Sequence, residues 1–233
     1  MSIQTTRSRI DGDEVTLITV DVNPGNYLTV IENMLGNLRG KAPNTLRNAV
    51  NAVVKEMKNR MVEQARETYA TKAILKKDVR IRRASGSNYT AKLQSKNYRL
   101  GTAKFKVSPG RLAKGKRRPK QYEAKVLQSS SMEVMKYGNL KAFLVRFSSG
   151  HKALVQRDPS KRYGESKASD RKTKYGKYAD MTAIVEKKGP SVAEMLGSRR
   201  VYGTLEPEMG NRLREEVLRQ INKTIAREAA RRR

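Results

Sequence analysis

Residues 44–71 read NTLRNAVNAVVKEMKNRMVEQARETYAT, and their periodicity decides the fold. Leu46, Ala49, Val50, Val53, Val54, Met57, Met61, Val62 and Ala65 recur three or four residues apart, which lines up one face of an α-helix, with polar residues between them. The spacing predicts a long amphipathic helix that begins after the break at Lys41-Ala42-Pro43-Asn44 and reaches about Thr71. Such a stripe must be buried against other elements. Met57 and Met61 fit best as fillers of that buried stripe, because an unbranched thioether adapts to irregular core gaps.

The flanks show what the helix packs against. Downstream, short strand-like runs follow at Asp78 to Arg83, Tyr89 to Leu93, Thr102 to Val107, Tyr122 to Leu127, Met132 to Tyr137, Ala142 to Phe147 and Ala153 to Gln156. Several alternate apolar residues with cations. Val79 and Ile81 stand against Arg80 and Arg82, and Ala103, Phe105 and Val107 against Lys104 and Lys106, so a period of two gives one dry face and one positive face. Near the C-terminus Met209, Leu213, Val217, Leu218, Ile221 and Ile225 mark a second amphipathic helix starting near Glu206-Pro207, with acids early and bases late, as the helix dipole favours. Upstream, Val15 to Val22 reads as a strand, Asn23-Pro24-Gly25-Asn26 as a turn, and Tyr27, Leu28, Ile31, Met34, Leu35 and Leu38 as a short helix closed by Gly40. The expected class is α+β: an antiparallel sheet covered on its dry face by the long helix and the C-terminal helix. Residues 1–40 are expected to be an extension that contacts neighbouring subunits, and residues 41–233 a single domain. The Val15 to Val22 strand has two readings: pairing within the chain, or completing a neighbour's open sheet edge.

Charge limits the function. The chain has 51 Lys and Arg against 22 Asp and Glu, a formal net charge of +29, and about 30 of the bases face only about 7 acids within residues 72–180. Self-repulsion on that scale calls for a polyanion or an acidic partner nearby. Two segments, about 109–120 and about 157–178, are basic, apolar-poor and broken by Gly or Pro, and are expected to be loops. Each is either a solvated face or the part that touches phosphate through Lys114, Lys116, Arg117, Arg118 and Lys120, or through Arg162, Lys167, Arg171, Lys172 and Lys174. With no Cys and one His, the sequence lacks the material for a Cys or His metal site, and no cofactor or metal is expected. Gly110-Arg111-Leu112-Ala113-Lys114-Gly115-Lys116 departs from a phosphate-binding loop because Arg117 stands where Ser or Thr should follow the lysine. His151 has no nucleophile in a strained turn beside it, so the expectation is a protein without catalytic or metal residues. No apolar run is long enough to span a bilayer.

Two motifs add a family likeness. Phe147-Ser148-Ser149-Gly150-His151-Lys152-Ala153-Leu154-Val155-Gln156-Arg157 resembles the strand, Gly-His turn, strand and Arg of the phage minor tail protein Z (tail-completion) family of neck proteins. Ile184-Val185-Glu186-Lys187-Lys188-Gly189-Pro190-Ser191-Val192-Ala193-Glu194-Met195-Leu196 is similar to that family's Gly-Pro-Ser segment and is followed, as there, by a C-terminal helix. The resemblance spans roughly residues 44 to 225, with the first 40 residues and the basic insert after Arg157 departing from the usual pattern. It marks Gly150, His151, Arg157, Gly189, Pro190 and Ser191 as structural motif positions. It implies a virion structural protein of the neck, assembled in the host cytoplasm, which completes the head-proximal end of the tail as a homo-oligomeric ring, hexameric or otherwise, around the DNA channel. The partners it implies are copies of itself, tail-terminator, tail-tube and head-connector proteins and double-stranded DNA, with no membrane. The rival expectation is a cellular, sequence-nonspecific nucleic-acid-binding protein of ribosomal or nucleoid type.

Overall fold

A computed structural model of the chain describes residues 10–11, 14–22, 24–73, 75–113, 117–137, 139–177 and 180–232. The elements follow in the order β1 (Ile10–Asp11), β2 (Glu14–Val20), α1 (Pro24–Leu35), α2 (Ala42–Thr68), β3 (Val79–Arg82), β4 (Ala91–Lys96), β5 (Arg99–Gly101), β6 (Lys106–Ser108), β7 (Glu123–Lys125), β8 (Glu133–Val134), β9 (Lys136–Tyr137), β10 (Leu140–Lys141), β11 (Phe143–Arg146), β12 (Lys152–Arg162), α3 (Glu165–Tyr175), β13 (Thr182–Glu186), β14 (Lys188–Ser191), α4 (Val192–Leu196), α5 (Tyr202–Leu205) and α6 (Met209–Arg231). The class is α+β, with the two long helices and antiparallel strands that the periodicities predict. The strands are shared among several small sheets rather than gathered in one.

The chain divides into two compact units: Met1–Thr68, Ile74–Tyr98 and Ser191–Arg233 form one, and Tyr69–Ala73 with Arg99–Pro190 form the other. In the first unit the stripe on α2 is the centre of the core. Leu46, Ala49, Val50, Val53, Val54, Met57, Met61, Val62 and Ala65 are all buried. Around α2 pack α1, α4, α5, α6 and β4. From α6 come Met209, Leu213, Val217 and Ile221, and burying a side chain of this size contributes roughly 1.5–3 kcal/mol. Leu218 and Ile225 depart from expectation. They lie on the solvent side of α6 and are exposed, because the stripe that faces α2 runs through Leu213, Val217 and Ile221.

The sheet of this unit has the order β1-β2-β4-β3, all antiparallel. β2 pairs with the chain's own β4, from Glu14 opposite Lys96 to Val20 opposite Ala91, with an irregularity between Thr16 and Ile18. Leu17, Ile18, Val20 and Val22 are buried. Of the two readings of this strand, the structure shows the intramolecular one. Its side chains are as apolar as those of a core strand, and the predicted division between a 1–40 arm and a 41–233 domain therefore does not occur. Asn51 fixes the connection after β3 to α2: its Oδ1 accepts from the Ala84 N–H at 2.9 Å and its Nδ2 donates to the Ala84 carbonyl at 3.1 Å.

The second unit contains the sheets β11-β12-β13, β6-β7-β8, β9-β10 and β5-β14. Tyr122, Ala142, Leu144 and Leu154 form a buried cluster, and Phe105 is fully buried in the same unit. Residues 102–104 form a 3-10 turn rather than the predicted strand, although Phe105 is buried beside exposed Lys104 and Lys106 as the alternation requires. The described part of the 109–120 segment is irregular, as expected. The 157–178 segment is not. β12 continues through it to Arg162, and α3 follows. No described helix is long and apolar enough to cross a membrane.

Candidate functional site

The two motifs that stand far apart in sequence become neighbours in the sheet β11-β12-β13. The first forms the turn from β11 to β12. Phe147 N–H donates to the His151 carbonyl at 2.9 Å, Gly150 N–H donates to the Phe147 carbonyl at 2.9 Å, and Gly150 takes φ +81°, a conformation that favours glycine. The His151 ring stacks on Phe147 with centroids 6.0 Å apart, and its Nε2 meets Glu186 Oε1 at 3.1 Å. Glu186 belongs to the second motif. From there Lys187 N–H donates to the Leu154 carbonyl at 2.9 Å, and the Lys187 carbonyl accepts from both the N–H and the hydroxyl of Thr102 at 2.8 Å. His151 is therefore a half-exposed structural bridge.

Glycine at 189 follows from close approach: a Cβ there would sit 2.7 Å from Phe105 Cε2. Pro190 lies in β14, and Ser191 ends that strand and caps α4. The Ser191 side chain accepts from Glu194 N–H at 3.0 Å while Glu194 Oε2 accepts from Ser191 N–H at 2.7 Å, a complete capping box. Arg157 is engaged within its own sheet. Its Nε pairs with Asp180 Oδ2 at 2.7 Å and its Nη1 donates to the Thr182 carbonyl at 2.8 Å, tying β12 to the start of β13.

Between the motifs the basic segment forms an arm built on α3, which buries no side chain. Gly164 precedes the helix and Gly176 ends it at φ +83°, with Glu165 in the first turn and Lys172 and Lys174 in the last. Arg171 holds the arm together. Its guanidinium lies 4.9 Å from the Tyr163 ring centroid and 5.2 Å from that of Tyr175, and its Nε donates to the Asp180 carbonyl at 3.1 Å. Arg171, expected among the phosphate contacts, is thus engaged within the arm. The Thr182 N–H, with help from Arg157 and Arg171, holds the Asp180 carboxyl below the usual aspartate range.

Of the other expected phosphate contacts, Lys114 and Lys116 lie outside the described residues. Arg117, Arg118, Lys120, Arg162, Lys167, Lys172 and Lys174 are exposed, and none pairs with an acidic side chain among the described residues. The structure brings two of them together. Arg118, whose guanidinium stands 4.7 Å from the Phe143 ring centroid, and Lys174 line one groove with Arg146, Leu112, Phe147 and Tyr175. Arg146 escaped the sequence reading because it appears there only as the single cation of an otherwise apolar run, Ala142 to Phe147. No group of three or more His, Cys, Asp or Glu able to hold a metal occurs among the described residues. Compared with protein-family models, curated proteins and solved structures, the chain gives no match in any of the three.

Proposed function

We propose that the chain is a non-enzymatic structural protein of a phage or phage-like neck, which completes the head-proximal end of the tail for head–tail joining as a ring around the DNA channel. The observation that carries this reading is the adjacency of the two family-like motifs. The Gly-His turn and the Gly-Pro-Ser segment pack side by side through His151–Glu186 and Lys187–Leu154, and the basic arm lies between them in the sequence. The charge distribution supports it too, because the unit that holds the arm carries about +18 of the formal charge. Cations in that density suit passing DNA that must be contacted without being read.

Electron microscopy of particles carrying the tagged chain tests the assignment: density for a ring at the head-proximal end of the tail is expected, and particles whose necks lack the tag while the chain co-sediments with ribosomes or nucleoid would overturn it. DNA binding is expected to be sequence-blind and salt-steep. If six phosphates are neutralised, the logarithm of affinity falls against that of salt with a slope of roughly −5. Anisotropy titrations of two unrelated duplexes at two salt concentrations measure it, and a flat salt response or a strong preference for one duplex refutes the phosphate-led mode.

A further inference from the structure

The groove beside β11 has features that backbone phosphates would not use. It encloses about 990 Å³, and the five consecutive residues Leu144 to Ser148 all line it. Successive side chains of a strand point to opposite faces, so a groove that touches all five runs along the strand's edge. β11 is the edge strand of its sheet, with β12 on one side and no strand on the other among the described residues. The register shows which backbone groups face out. Phe147 N–H is bonded to His151, so alternation in the antiparallel ladder turns Phe143, Val145 and Phe147 toward β12, and turns the N–H and C=O of Leu144 and Arg146 toward the groove.

We propose that this edge accepts an extended acidic peptide segment of a partner protein as an added strand. Arg118, Arg146 and Lys174 stand around the groove and no acidic side chain lines it among the described residues, so an acidic segment is matched in charge. A second copy of this chain, at +29, is not. Leu112, Val145, Phe147 and Tyr175 give the added strand apolar contacts for alternate side chains, while the outward backbone groups at Leu144 and Arg146 fix its register. At about 3.3 Å per residue, the edge from Phe143 to Ser148 takes a segment of about five or six residues. Duplex DNA offers neither a strand-spaced row of amides nor apolar groups for such a floor. The inference stands independently of the neck reading, since it uses only the edge, the groove and its charge.

The probe is a fluorescein-labelled peptide of alternating Glu and Val, eight residues long, titrated with the full chain and followed by anisotropy. Two further versions carry N-methyl groups on one or the other set of alternate amides. Strand addition predicts saturable one-to-one binding that one methylated version retains and the other loses at least tenfold, because only one set of amides faces β11. Arg146→Glu and Lys174→Glu, both at exposed positions, should each weaken the parent peptide at least tenfold with unchanged circular dichroism. Equal binding of all three peptides would reduce the effect to charge alone and overturn the proposal. So would absence of saturable binding, or a twelve-residue thymidine oligonucleotide that binds more tightly than the peptide and loses its affinity in the same two variants, which would assign the groove to single-stranded nucleic acid.

Discussion

Removing residues 1–22 should unfold the unit built on α2 rather than release a detachable arm. The truncation takes away Leu17, Ile18, Val20 and Val22, each at most 5% exposed. At roughly 1.5–3 kcal/mol per buried side chain, the loss is about 6–12 kcal/mol, as large as the whole stability of a typical domain at about 5–15 kcal/mol. It also strips β4 of its partner on one side, from Ala91 to Lys96. A gentler substitution, Ile18→Ala, should cost about 2–5 kcal/mol, since Ile18 is 1% exposed and leaves a cavity. Urea titration followed by far-ultraviolet circular dichroism reads both. The truncated chain should lose most of its helical signal, because α1, α2 and α6 all belong to that unit, and Ile18→Ala should shift the midpoint to lower urea with little change in slope. An intact helical signal and an unchanged midpoint after truncation would refute the reasoning, and would restore the strand as a device for joining subunits.

Arg171→Ala should free the arm: hydrogen exchange across residues 165–175 is expected to rise by an order of magnitude or more while the amides of α2 stay protected, and unchanged protection would show that the two tyrosine contacts do not order α3. Gly189→Ala should cost about 1–3 kcal/mol, measured by thermal or urea unfolding, because the new methyl must displace the buried Phe105 ring. Acid should loosen the joint between Arg157, Asp180 and Thr182. Asp180 titrates below its unfolded value of about 3.9, so its contribution is present above that pH and is lost as the pH falls through the depressed folded value; Asp180→Asn should abolish the pH response of the Thr182 amide shift between pH 5 and 2.

The elements legible in the sequence are those whose burial is written in a period. The α2 stripe from Leu46 to Ala65 and the α6 positions Leu213, Val217 and Ile221 appear in the structure where the spacing puts them, because a helix that packs on one side repeats its apolar residues every three or four. α3 was illegible for the complementary reason. It buries nothing, so no apolar period marks it, and its remaining signals are Gly164, Gly176 and the order of its charges, which a loop can share. The destination of β2 could not be read either, since an apolar strand satisfies its backbone equally well on its own sheet or on a neighbour's. In the groove, Arg118 and Lys174 were legible as cations, whereas the open side of β11 depends on register and strand order, which a single strand's residues do not carry.

The path of the chain through its two units affects the order in which they can be made. Within the first, α2 (Ala42–Thr68) packs along α6 (Met209–Arg231), a pairing between segments separated by all of Arg99–Pro190. During translation α1, β3 and β4 can pack on α2 early, but the strip that α6 covers leaves the ribosome long before α6 does and stays open while the second unit is synthesised. The second unit has its principal strands and its core residues Phe105, Tyr122, Leu144 and Leu154 together by Pro190, so it can fold first. The interval is therefore the chain's most exposed moment, when the strip of α2 that α6 will cover is open to chaperones and to other nascent copies alike.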